Sequence, residues 1–294
     1  MRRRSFTEQE TSSLAIWSRR IAFFSLAATF IAIIIVRSGA LDIVPALSTL
    51  AGALVLACVA ILLAVGAGIS IWRNGSAGGR QATTALLIGF ALIAYPLYLG
   101  VKARNLPAIY DITTDPIDPP QFDAIARLRP RDANPVTYAG LYTAEQQHNA
   151  YADIEPDDTN SSAQEAYDAA MKVITKRKWR VVDARPPQAP PPVPTPRNVA
   201  IQASPARDGI IEAVARTPIL GFRDDVVVRI RPTADGARID VRSASRYGRH
   251  DLGSNAARVR NLIDDIDTVL ATPQPQKKQA PPPPQPGKGA SAKR

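Results

Sequence analysis

One cysteine, Cys58, and two histidines, His148 and His250, are the only thiol and imidazole metal ligands in 294 residues. A single thiol excludes an intrachain disulfide and a cysteine-based zinc site, and two histidines exclude a multi-histidine centre. Cys58 lies inside an apolar run, as a small packing or lipid-facing residue. There is no G-x-S-x-G elbow to mark a serine nucleophile. Asp111, Asp115 and Asp118 lack the spacing and the turn glycine of an EF-hand loop, so they read as turn and capping residues. No cofactor, metal or catalytic residue is expected.

The formal charge of +10 would suit nucleic acid, but no reading motif accompanies it. Many of the cations are at the two ends: Arg2, Arg3, Arg4, Arg19 and Arg20, then Lys277, Lys278, Lys288, Lys293 and Arg294. No nucleic-acid partner is expected.

The chain is instead rich in long apolar runs near its N-terminus. Residues 21–36, 44–72 and 82–101 are each long enough, with their flanks, to cross a bilayer. None has an ionisable residue in its core, which argues against a proton or ion path. Gly52, Gly66, Gly68 and Gly89 suit close helix packing. Trp17, Trp72, Tyr95 and Tyr98 sit near the ends, where amphipathic rings favour the interface. Pro96 predicts a kink.

Five arginines before the first run place residues 1–20 in the cytoplasm, although Lys102 and Arg104 weaken the contrast. The reading is a multi-pass protein of the bacterial inner membrane: a three-helix anchor over 21–101 and a periplasmic domain over 102–271. A competing reading takes Ser38-Gly39-Ala40 as a signal-peptide cleavage site; the adjacent Arg37 and the two further spans count against it.

Residues 105–125 form a proline- and aspartate-rich strap. A short helix is expected over 144–154 and an amphipathic one over 161–178, capped by Ser161 or Ser162 with Gln164 or Glu165. Its buried face is Ala166, Ala170, Val173 and Ile174. A strand over 179–184 leads to a proline-rich loop, 185–198. Strands follow at 209–218, 224–232 and 237–245, the last two joined by an Asp235-Gly236 turn. Val226, Val228, Ile230, Ile239 and Val241 point to the core, which leaves an outward row of Glu212, Arg229, Arg231, Asp240 and Arg242. A helix over 255–270 and a disordered tail over 272–294 complete the chain. The fold class is α+β: an antiparallel sheet with helices packed on one face.

DITTD at 111–115, the prolines 119–120, GIIEAV, GFRDDVVVRI and VRSASRYGRHDLGSNAARV together resemble the family called domain of unknown function 1499, over roughly 105–270. The resemblance implies an envelope protein with a short membrane anchor and implies no activity. The proline insert at 185–198 departs from it.

The junction between the last strand and the last helix is the candidate site. Arg242, Arg246, Arg249, His250 and Arg258 crowd the helix start, with Ser243, Ser245, Asp251 and Asn255 among them and Arg229 and Arg231 nearby. Cations beside free helix N–H groups suit an anion. The competing reading is an internal charge network in which Asp224, Asp225, Asp240 and Asp251 neutralise the arginines. The expected function is a non-catalytic envelope module that binds an anionic ligand, a lipid headgroup or a membrane-protein partner. On that reading, replacing Arg246 weakens binding without unfolding the domain. The alternatives are a membrane-complex assembly factor and a serine-type hydrolase using Ser243 or Ser245 with His250 and Asp251.

Overall fold

The computed structural model describes residues 10–188 and 207–272. Most of the proline-rich loop 185–198 and nearly all of the tail 272–294 fall outside the described residues.

Three long helices lead the chain: α1 (Ser13–Ser38), α2 (Ile43–Asn74) and α3 (Gly79–Asn105). All three are long and apolar enough to cross a membrane. Each extends past its apolar run, because nothing in the polar flanks breaks a helix. Small residues let the helices approach closely: Ala15 and Ala22 pack with Ala60, Ala64, Ala67, Ala82 and Ala85. A β-carbon at Gly89 would lie 2.4 Å from Ile61 Cγ1, so only glycine fits where α3 crosses α2. Ser25 donates to the Ala53 carbonyl at 2.8 Å, which ties α1 to α2. Phe23, Phe24, Phe30, Val44, Leu62 and Leu87 point outward. Pro96 lies inside α3.

The rest is an antiparallel sheet of six strands with packed helices. The strands are β1 (Asp111–Thr113), β2 (Asp157–Thr159), β3 (Arg180–Arg185), β4 (Gly209–Arg216), β5 (Arg223–Pro232) and β6 (Ala237–Ser245). Their order is β1-β6-β5-β4-β3, with β2 pairing the other end of β6. The sequence indicated only the last four. β1 and β2 have three residues each, too few for an alternating pattern to register, and both are held by pairing with β6.

Two short helices, α4 (Ala124–Leu128) and α5 (Leu141–Ala150), precede α6 (Ala163–Lys176), and α7 (Ser254–Ala271) closes the domain. The capping box at α6 is formed by Ser162 and Glu165, each side chain bonding the other residue's backbone N–H. α6 and α7 cover one sheet face. Ala166, Ala170, Val173 and Ile174 of α6 meet Val226, Val228, Ile230, Ile239 and Val241, and Val259, Leu262 and Ile266 of α7 complete this core.

The second face corrects the sequence reading. Glu212, Asp240 and Arg242 do lie on the opposite side from the core, but they are fully buried rather than solvated. The segment 114–138 folds over them, and its Phe122 and Ile125 pack on Val214, Val227 and Ala244 in a second, smaller core.

Candidate functional site

Charged side chains under the strap are matched one against another. Arg242 forms a bidentate pair with Asp111 at 2.7 and 3.0 Å and donates to the carbonyls of Pro120 and Val136. Its guanidinium also lies 4.8 Å from the Phe122 ring centre. Burial pushes the Asp111 carboxyl up, and the pairing with Arg242 opposes this. Arg229 and Arg231 share Asp115, Asp118 and Asp240. The Glu212 carboxylate accepts three backbone N–H bonds, from Asp123, Ala124 and Ile125, at the start of α4.

The junction is equally closed. Arg246 grips Asp225 through Nε and Nη2, and Arg129 reaches the same carboxylate from the strap. Arg258 pairs with Asp224 and donates to Ser243 Oγ at 2.9 Å. Ser243 Oγ donates to Asn255 Oδ1, and Asn255 Nδ2 donates to Ser245 Oγ and to the Tyr110 carbonyl. Asp251 accepts from the N–H groups of Gly253 and Asn255 and so occupies the start of α7. Burial raises its carboxyl pKa, against those two hydrogen bonds. Gly253 is left-handed at φ 73°, which turns the chain into the helix.

His250 stands apart from the serines. Its Nδ1 accepts from the Leu252 N–H at 2.9 Å, so Nε2 carries the proton and donates to the carbonyls of Ala103 and Leu106 at the end of α3. Ser243, Ser245, His250 and Asp251 therefore form no nucleophile–base–acid row, and the serine-hydrolase alternative lacks its geometry. Arg249 is exposed and has no ion-pair partner among the described residues. Replacing Arg246 would leave the buried Asp225 with Arg129 as its one remaining counter-ion, contrary to the expectation that such a change spares the fold.

Sequence reasoning missed the end of the domain that rests on the three helices. The β4–β5 turn, Thr217–Phe222, is tied there by Arg37, whose Nη1 donates to the carbonyls of Pro218 at 2.6 Å and Ile219 at 3.3 Å. Arg216 and Arg223 face each other across the strands flanking this turn. With Arg180 at the start of β3 they make a cluster that has no ion-pair partner among the described residues. Burial and then the neighbouring charges of Arg216, Arg246 and Arg180 push the Arg223 pKa down, as expected where cations outnumber anions. A cavity of about 420 Å³ opens beside Arg223, between the ends of α2 and α3, the turn and the junction. The sequence signal was RTPILGFR, residues 216–223: an apolar turn between two arginines.

No curated protein and no solved structure matches the chain. The family described as protein of unknown function (DUF1499) matches residues 111–266, from β1 into α7, and so takes in the sheet, the strap and the junction. The chain belongs to the DUF1499 family.

Proposed function

We propose that the protein is a non-catalytic module of the bacterial envelope, anchored by three spans with its N-terminus in the cytoplasm and its domain in the periplasm. The anchor-facing end of the domain binds the anionic headgroups of membrane lipid. One observation carries this reading: the interior arginines Arg229, Arg231, Arg242, Arg246 and Arg258 are committed to carboxylates, whereas Arg180, Arg216 and Arg223 have no ion-pair partner among the described residues and cluster at the end of the sheet that meets the spans. The lipid-headgroup role expected of the junction cations thus moves to the cations beside them. Each basic residue near an anionic surface contributes about 1 kcal/mol, so three can favour anionic over neutral lipid by about a hundredfold.

Extraction of the full-length chain into nanodiscs from vesicles of mixed anionic and zwitterionic lipid tests this. The wild-type discs should be enriched in anionic lipid. The variant Arg180→Gln, Arg216→Gln, Arg223→Gln should carry the bulk ratio. A wild type at the bulk ratio would reject the proposal.

A further inference from the structure

We infer that the cavity beside Arg223 seats one acyl chain of an anionic lipid drawn from the surrounding leaflet, with the lipid phosphate held by Lys102 and Arg223. This rests on the headgroup reading above and names the ligand of the same site. The cavity, about 420 Å³, is within the roughly 300–1,000 Å³ usual for small-molecule sites. Ile43 and Leu47 of α2 and Tyr95 and Leu99 of α3 form its floor. These residues belong to helices apolar enough to cross a membrane, so an acyl chain can reach the floor without entering water. Ile219, Leu220 and Phe222 form the roof, held in place by the Arg37 bonds to the turn.

The charge at the rim selects the headgroup. Lys102 and Arg223 both line the cavity, and neither has an ion-pair partner among the described residues. The two carboxylates in the wall are already committed, Asp224 to Arg258 and Asp251 to the N–H groups of Gly253 and Asn255. Asp42 and Asp132 line a neighbouring hollow with Arg223 without pairing with it. A small water-soluble anion would satisfy the rim and leave the apolar floor wet. A neutral amphiphile would fill the floor and leave two cations desolvated without a counter-charge. An anionic lipid meets both demands, and the lysine stem can lie along its chain while the ammonium reaches the phosphate.

The test is native mass spectrometry of the full-length chain released from mild detergent, titrated with phosphatidylglycerol or with phosphatidylcholine. One phosphatidylglycerol should bind per chain, at least tenfold more tightly than phosphatidylcholine. Lys102→Ala with Arg223→Ala should erase the preference. Leu99→Trp fills the cavity from α3 and leaves the cations in place, so it should abolish the single bound lipid. Leu47→Trp fills it from α2 at a partly exposed position that tolerates a larger ring, and should do the same. Preference for phosphatidylglycerol that survives both tryptophan variants would overturn the cavity seat while leaving surface binding intact. Equal binding of the two lipids by the wild type would overturn both.

Discussion

Arg242→Ala tests how the second face of the sheet is closed. The Arg242 and Asp111 side chains are 0% and 1% exposed. Removing the guanidinium leaves a buried carboxylate without its counter-ion and takes donors from the carbonyls of Pro120 and Val136. Breaking a buried pair in this way costs about 3–5 kcal/mol. With a urea slope of roughly 2 kcal/mol/M, the unfolding midpoint should fall by about 2 M. Pulse proteolysis of the full-length chain in mild detergent across a urea series reads this directly. The pH dependence supplies a second check. Burial already raises the Asp111 carboxyl, and losing Arg242 raises it further. A carboxyl with a raised folded pKa stabilises the fold at low pH and loses that contribution as pH rises, so the deficit of the variant should shrink on acidification. The double variant Asp111→Leu, Arg242→Met should recover at least half of the loss, because no unpaired charge remains. A midpoint drop below about 0.5 M for Arg242→Ala would refute the reasoning, since so small a change lies far under the cost of a broken buried pair. The strap would then be held by Phe122 and Ile125 together with the Glu212 and Arg129 bonds.

Glu212→Gln removes the charge that receives three N–H groups at the start of α4; a loss of about 1.5–3 kcal/mol is expected by the same proteolysis assay, with earlier cleavage in the strap. Partial burial and the carboxylate of Asp157 push the Asp267 carboxyl up to about 6. Its contribution is therefore favourable below about pH 4 and lost as pH rises through 6. Asp267→Asn should raise the Tm at pH 7.5 and leave it nearly unchanged at pH 4, and a Tm gain equal at both pH values would show that the two carboxyls do not interact.

What could be read from the sequence was whatever repeats along one element. The three apolar helices, the capping box of Ser162 and Glu165, the hairpin at Asp235-Gly236 and the stripe of α7 each announce themselves locally. The buried charge layer does not. A row such as Glu212, Arg229, Asp240 and Arg242 looks like a solvated face, because charged side chains are rarely buried without partners. Its partners Asp111, Asp115 and Asp118 are over a hundred residues away from the arginines they neutralise, and in the sequence they read as turn residues. Asp115 is in fact both, since it also accepts from the N–H groups of Ile117 and Asp118. At the junction, the bonds of Asp251 to Gly253 and Asn255 are local, whereas the Arg246–Asp225 pair depends on strand register. Gln147 and Arg129, which fasten α5 and the strap to the sheet, carry no pattern at all.

The division between arginines committed to carboxylates and those with no ion-pair partner among the described residues can be tested on one pair of variants, Arg223→Gln and Arg246→Gln, in the full-length chain. Bound anionic lipid and urea midpoint are measured on each. Arg223→Gln should lower the anionic preference by about fivefold, the share of one arginine near an anionic surface, and keep the wild-type midpoint. Arg246→Gln should lower the midpoint by about 1 M, because the buried Asp225 keeps only Arg129, while its folded fraction keeps the lipid preference. The reverse pattern, with lipid lost at Arg246 and the midpoint lost at Arg223, would contradict the division and return the binding site to the strand–helix junction.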